Sequence, residues 1–279
     1  MTDAVLSPRR SAPSNAGALI REWRERRRLS QLDLACEAGV STRHLSFLET
    51  GRARPSRDML LHLAEALKAP LRARNALLLA AGFAPAYAER SLEDPALSGV
   101  RRAIELVLKA HEPFPALVVD RGWRMLAANG ALAPLLAGVA DWLLQPPVNV
   151  LRLSLHPEGL GPRIANYGEW RAHILERLEN QVEATADPEL EALRTELAAY
   201  PTPQQDAGER PGGAEAELGG VAVPLRIRTE AYGVLAFFST TTVFGTPLDI
   251  TLAELALETF LPADARTGEV LRRLAGEPR

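Results

Sequence analysis

From Gly17 onward the apolar residues recur at three- and four-residue steps. Leu19, Ile20 and Trp23 alternate in that rhythm with Arg21, Glu22, Arg24 and Glu25, which predicts an amphipathic helix ending near Arg28. Ser30 is placed as an N-cap, with Asp33 three residues on to favour the helix start, and Leu34, Ala35 and Ala38 form the inward side of a second helix. Gly39, able to take a positive φ, closes it. Ser41 caps a third helix at once, with Leu45 and Leu48 inward and Gly51 at its end. Residues 1–16 carry no period and read as a disordered tail.

Past residue 82 the rhythm changes. Residues 83–98 hold two prolines and read as a linker; Val100, Ile104, Val107 and Leu108 then restore helical spacing. Two apolar runs flank Asp120-Arg121-Gly122, a hairpin signal, and Leu132, Leu135 and Leu136 suggest a short helix. Trp170, Ile174, Leu175, Leu178 and Val182 share one face of a helix over 169–183, and another helix follows over 187–197. Residues 200–220 form a long polar loop. Residues 221–228 and 232–244 have the composition of strands, 249–262 fits either a strand or a helix, and 266–275 is a final helix. The sum is an all-α domain followed by an α+β domain with an antiparallel sheet.

With 279 residues, 47% of them apolar and 24% charged, the chain suits about two globular domains. No apolar run approaches the roughly 18 residues of a membrane span, and the first residues lack the apolar region of a signal peptide. The expected location is therefore cytoplasmic, without a membrane partner. The single Cys36 permits no internal disulfide and no thiolate cluster for zinc, so no metal is expected. The net charge of −3 conceals halves of opposite sign. Residues 1–90 carry 15 Arg or Lys against 9 Asp or Glu, whereas residues 91–279 carry 17 against 26. A polyanion is attracted to the first and repelled by the second.

Two short helices across a tight Gly turn make a helix-turn-helix, whose second helix enters the major groove of DNA. With Leu45 and Leu48 inward, Thr42, Arg43, Ser46 and Phe47 point outward. Arg43 suits guanine O6 and N7, Thr42 and Ser46 donate or accept, and Phe47 suits a thymine methyl. Arg52, Arg54 and Arg57 lie where phosphates would pass, and Gln31 stands at a helix start that attracts anions. With Ser41 and His44, the candidate DNA-binding set is Gln31, Ser41, Thr42, Arg43, His44, Ser46, Phe47, Arg52 and Arg54. Phe47 fits half-burial beside Trp23 as well as exposure, and His44 fits plain surface as well as a base or phosphate contact.

Residues 30–56, SQLDLACEAGVSTRHLSFLETGRARPS, resemble the helix-turn-helix of the xenobiotic-response-element (XRE) and Cro/C1 repressor family. The resemblance spans residues 17–82. It implies two more helices, Arg57–Leu67 after a Ser56 cap and Leu71–Ala81, closing a five-helix bundle. Met59, Leu60, Leu63, Leu67, Leu71, Leu78 and Leu79 fit their period. One such module makes too few contacts for a unique site, so a homodimer on a two-fold operator is expected, with half-sites about one helical turn apart.

Four separated blocks, EPFPALVVDRGWRMLAAN, NVLRLSLHPEGLGPRIANYGEWRAHILERL, TADPELEAL and FFSTTTVFGTPLDITLAEL, resemble in their order the ligand-binding domain of MmyB-like transcription regulators. It would occupy residues 99–277. The resemblance implies a PAS-like fold and a small apolar ligand, with fatty acids the expected class. Such a ligand needs an apolar channel with one polar mouth. Phe114, Leu117, Val119, Trp123, Leu126, Trp142, Leu151, Phe237 and Phe238 are candidates for the channel. Asn149, Arg152, His156, Asn166 and Arg171 are candidates for the mouth. Ordinary core packing or turn hydrogen bonding accounts for any one of them as well. HExxH, GxSxG, GxxxxGK[ST] and GxGxxG are all absent, which favours a regulator over an enzyme. The alternative is a second domain that recruits a protein partner or dimerises without a small molecule.

Overall fold

The computed structural model describes residues 16–203 and 223–276. The expected tail, apart from Ala16, and most of the expected polar loop lie outside them. The chain divides between Ala88 and Glu89 into two compact units.

The first unit contains α1 (Ala16–Arg26), α2 (Gln31–Glu37), α3 (Thr42–Glu49), α4 (Arg57–Ala66) and α5 (Leu71–Ala80). Local chemistry starts three of them. Ser30 Oγ accepts from the Asp33 amide at 3.1 Å while the Asp33 carboxylate accepts from the Ser30 amide at 2.8 Å, a complete capping box. Ser41 and Ser56 accept from the His44 and Met59 amides, each at 3.2 Å. Gly39 turns the chain between α2 and α3 at φ +59°. Ile20, Leu34, Leu45, Leu48, Leu60, Leu63 and Leu78 are fully enclosed. Leu79, expected inward, is 58% exposed, because α5 already turns Leu77 and Leu78 to the core.

A buried polar knot fixes α3 against α1 and α2. Arg24 Nε and Nη2 donate to the two oxygens of Glu49 at 2.7 and 3.0 Å, and Gln31 Nε2 donates to Glu49 Oε2 at 2.8 Å. The third Arg24 nitrogen, Nη1, donates to the Leu29 carbonyl at 2.9 Å. Both charges are thus paired and bonded, the condition under which a buried ion pair is tolerated.

The expected linker, residues 83–98, makes hydrogen bonds within each unit. Asn75 of α5 donates to the Tyr87 carbonyl at 2.7 Å and accepts from the Ala86 and Tyr87 amides at 2.9 and 3.1 Å. In the second unit Arg90 pairs with Asp249 at 2.9 Å, and its carbonyl accepts from the Thr251 hydroxyl at 2.6 Å. A 3-10 turn over Pro95–Leu97 then leads into α6 (Ser98–Ala110).

The second unit is built on a five-stranded antiparallel sheet in the order β2-β1-β5-β4-β3. Its strands are β1 (Ala116–Val119), β2 (Met125–Ala128), β3 (Leu225–Thr229), β4 (Gly233–Val243) and β5 (Ala256–Pro262). The ambiguous segment 249–262 is both things in turn: a short helix, Ile250–Ala253, capped by Asp249, and then β5. Period-two alternation sends Leu117 and Val119 to one face of β1 and Ala116 and Val118 to the other. Both faces are covered. The Leu117 face packs under α7 (Val150–Leu155), α8 (Tyr167–Thr185) and α9 (Pro188–Ala198), together with 3-10 turns around Leu132 and Leu135. The Ala116 face receives Ile104 and Leu108 of α6, flanked by Val100 of the same helix and by Leu255; Leu106 and Val107 of that helix are exposed. The helix Ala265–Leu274 adds Val270 and Leu271 to the main core. This is the α+β arrangement implied by the chain's periodicities.

Candidate functional sites

The outward edge of α3 is assembled by what the helix hides. Leu45 and Leu48 are enclosed and Glu49 is held in the polar knot, so Arg43 is exposed and Thr42, His44 and Ser46 are half-exposed. Phe47 is half-buried, and the Arg43 guanidinium carbon stands 5.4 Å from its ring centroid, one helical turn away. That stacking limits the rotamers of Arg43 on the helix surface. Arg52, Arg54 and Arg57 are exposed from the turn after α3 to the first residue of α4. Ser41 serves as the cap. Gln31 donates its amide nitrogen to Glu49, and the Asp33 carboxylate lies at the amino end of α2. The Ser30 hydrogen bonds hold Asp33 below the usual carboxylate range, so a negative charge persists at the position expected to receive a phosphate.

In the second unit, one face of the sheet and helices α7 and α8 wall an apolar cavity that is partly open to solvent. Of the residues expected around a ligand, Leu117, Trp123, Leu151 and Phe237 line it. The others do not. Phe114 packs into the neighbouring core, Val119 is buried there, and Phe238 points to the opposite face of β4 from Phe237. Leu126 is partly exposed, and Trp142 is 54% exposed with its indole nitrogen donating to Glu158 at 2.7 Å.

The expected mouth residues are engaged elsewhere. Asn149 caps α7, accepting from the Leu151 and Arg152 amides at 3.1 and 3.0 Å. Arg152 grips Glu196 of α9 at 2.8 and 2.7 Å, and Tyr200 donates to the same carboxylate at 2.6 Å. His156 lies edge-on between Trp142 and Tyr200. Asn166 ties down β3 through the Pro224 carbonyl and the Arg226 amide, and Arg171 donates to the Ala198 carbonyl. The reason is helical phase: α7 turns Leu151 and Ser154 toward the cavity, which sends Arg152 away from it.

The polar groups that do face the cavity are Ser154, His173, Arg177, Ser239 and Glu258. Arg177 donates to both oxygens of Glu258, at 3.1 and 2.7 Å, and to the Thr241 hydroxyl at 2.7 Å. Thr241 donates in turn to Glu258 at 3.0 Å. The guanidinium carbon lies 4.4 Å from the centre of the Trp123 ring, whose nitrogen donates to Gln181 at 2.8 Å. Trp123 adopts φ +63°, an uncommon conformation for a bulky residue, held by an Asp120 side chain that accepts from the Gly122 and Arg124 amides. That strain, about 1–3 kcal/mol, aims the indole into the cavity. Burial and the neighbouring Arg177 push the His173 pKa down. His173 and Arg177 were legible as polar intrusions in the stripe of Trp170 and Ile174, at positions i+3 and i+7 of one face.

Comparison with known proteins agrees with both halves. Residues 16–77 match the model of a helix-turn-helix domain, and residues 100–274 match the model of the MmyB-like transcription regulator ligand binding domain. An uncharacterized HTH-type transcriptional regulator of Mycobacterium bovis is 37% identical over 104 residues, and two of Mycobacterium tuberculosis are similar to the same degree. Each alignment covers 37% of this chain and 41% of the relative, less than half of either. With more than half of its length in the ligand-binding model and a helix-turn-helix ahead of it, the chain belongs to the family of MmyB-like transcription regulators.

Proposed function

We propose that the protein is a sequence-specific, DNA-binding transcription regulator of XRE type, acting in the cytoplasm as a homodimer and controlled by a fatty-acid-like ligand in a PAS-like domain. The observation that carries the first half is α3 itself: Leu45 and Leu48 are enclosed while Arg43, backed by Phe47, stands free among Thr42, His44 and Ser46. Four further features support the reading. Arg52, Arg54 and Arg57 extend the exposed positive edge. The net positive charge lies in residues 1–90. The cavity is walled by Leu, Ile, Trp and Phe, with its polar groups few. No helix among the described residues is long and apolar enough to cross a membrane. Ligand would act through different affinities for two arrangements of the dimer. Fluorescence anisotropy with fragments of the source genome tests DNA binding: a salt-sensitive, sequence-selective complex supports it, and no complex even in dilute buffer rejects it.

A second reading, in which the second domain docks a protein and takes no small molecule, draws on the exposed apolar residues Leu106, Val243, Phe244 and Leu248. Native mass spectrometry of protein purified from its source separates the two. A co-purified apolar molecule of a few hundred daltons supports sensing, and an empty domain with a retained protein supports docking.

A further inference from the structure

The polar end of the cavity is already balanced in charge. Arg177 meets Glu258 with two parallel hydrogen bonds, and Glu258 is only 4% exposed. Of the residues that line the cavity, the third ionisable one is His173 of α8. Burial and Arg177 depress its pKa against the weaker upward pull of Glu176 and Glu258, which leaves the imidazole neutral near pH 7. Facing these groups are uncharged ones: Ser239 and Thr241 from β4, Ser154 from α7, Trp170 from α8, and the Trp123 indole. A carboxylate entering here would find no cation without a partner, and it would lie close to the Glu258 charge in a site of low polarity. A buried charge without a counter-ion is strongly disfavoured. A neutral head meets no such penalty. The His173 ring offers a donor and an acceptor, and the Ser239 hydroxyl offers both.

Resting on the reading that this cavity is the ligand site, we propose that it takes an alkyl-chain ligand whose head group adds no net charge to the site once bound. An alcohol, ketone or amide satisfies this directly, and a carboxylic acid satisfies it by bringing in one proton. Linkage then fixes the signature. An acid that is fully ionised in solution and takes up one proton on binding loses about tenfold in affinity for each pH unit, whereas an alcohol loses nothing.

The test is isothermal titration calorimetry of the full-length protein with decanoic acid and with decan-1-ol between about pH 6.5 and 8.5. The expected result is an acid Kd that rises about tenfold per pH unit beside an alcohol Kd that stays constant. An acid Kd independent of pH overturns the proposal and leaves the cavity reading intact. If neither probe binds, both fall. Glu258→Gln gives a second arm, since it removes the negative charge and leaves Arg177 uncompensated. In that variant, checked for folding by circular dichroism, the acid should bind more tightly than in the parent and lose its pH slope. Retention of the parental slope rejects the proposal, and the pH series on the unaltered protein stands whether or not the variant folds.

Discussion

Arg43 and Arg52 are both exposed arginines, yet the proposed reading gives them different work. Arg43 projects from the helix edge and is braced by Phe47, the arrangement for reading a base, whereas Arg52 leaves the turn after the helix, the arrangement for neutralising a phosphate. Arg43→Ala is therefore expected to remove about 1–3 kcal/mol of discrimination at one base pair. Arg52→Ala should weaken all sequences alike. Binding to a panel of single-base operator variants distinguishes these outcomes, and an unchanged preference in Arg43→Ala would show that α3 is not the reading helix. His173 yields a prediction about pH. Its pKa is lowered in the folded state, so the unfolded chain binds the proton more readily, and stability rises with pH across that interval. Stability is fully present above the unfolded value, about 6.5, and is lost as the pH falls below it. Thermal melts from about pH 8 to pH 5 should show a decline in the second unit that His173→Gln lessens.

Elements show where long-range packing overrode local pattern. Helix starts at Ser30, Ser41 and Ser56 were legible because a cap and the amides it satisfies lie within three residues of each other. The polar end of the cavity was not, because its ion pair joins α8 to β5 across 81 residues of sequence. Arg152 is turned by α7 toward Glu196, and His156, at the end of that helix, lies between Trp142 and Tyr200. The packing of α1 on α3 is equally invisible in sequence and equally tight. A β-carbon at Gly17 would come within 2.1 Å of the Leu48 carbonyl oxygen, so Gly17→Ala is expected to destabilise the first unit by roughly 1–3 kcal/mol. Glu49→Ala should cost more, about 3–5 kcal/mol, by leaving the buried Arg24 with only the more distant Glu25, 3.7 Å away, as counter-ion. Chemical denaturation of each variant measures both, and a neutral Glu49→Ala would mean the knot is ornamental.

At the scale of the whole molecule, the two signs of charge matter more than their sum. Attraction for a polyanion belongs to residues 1–90 and repulsion to the remainder, so affinity for DNA should fall steeply as salt rises. Replacing Arg52, Arg54 and Arg57 together by Ala should flatten the plot of log affinity against log salt by about one unit of slope for each phosphate that is no longer neutralised. An unaltered slope would mean that other residues meet the phosphates.

The guanidinium of Arg177 is at once a wall of the cavity and the brace between α8 and β5. A ligand of the kind proposed would therefore meet, at a single side chain, both its own enclosure and the clamp that joins helix to strand.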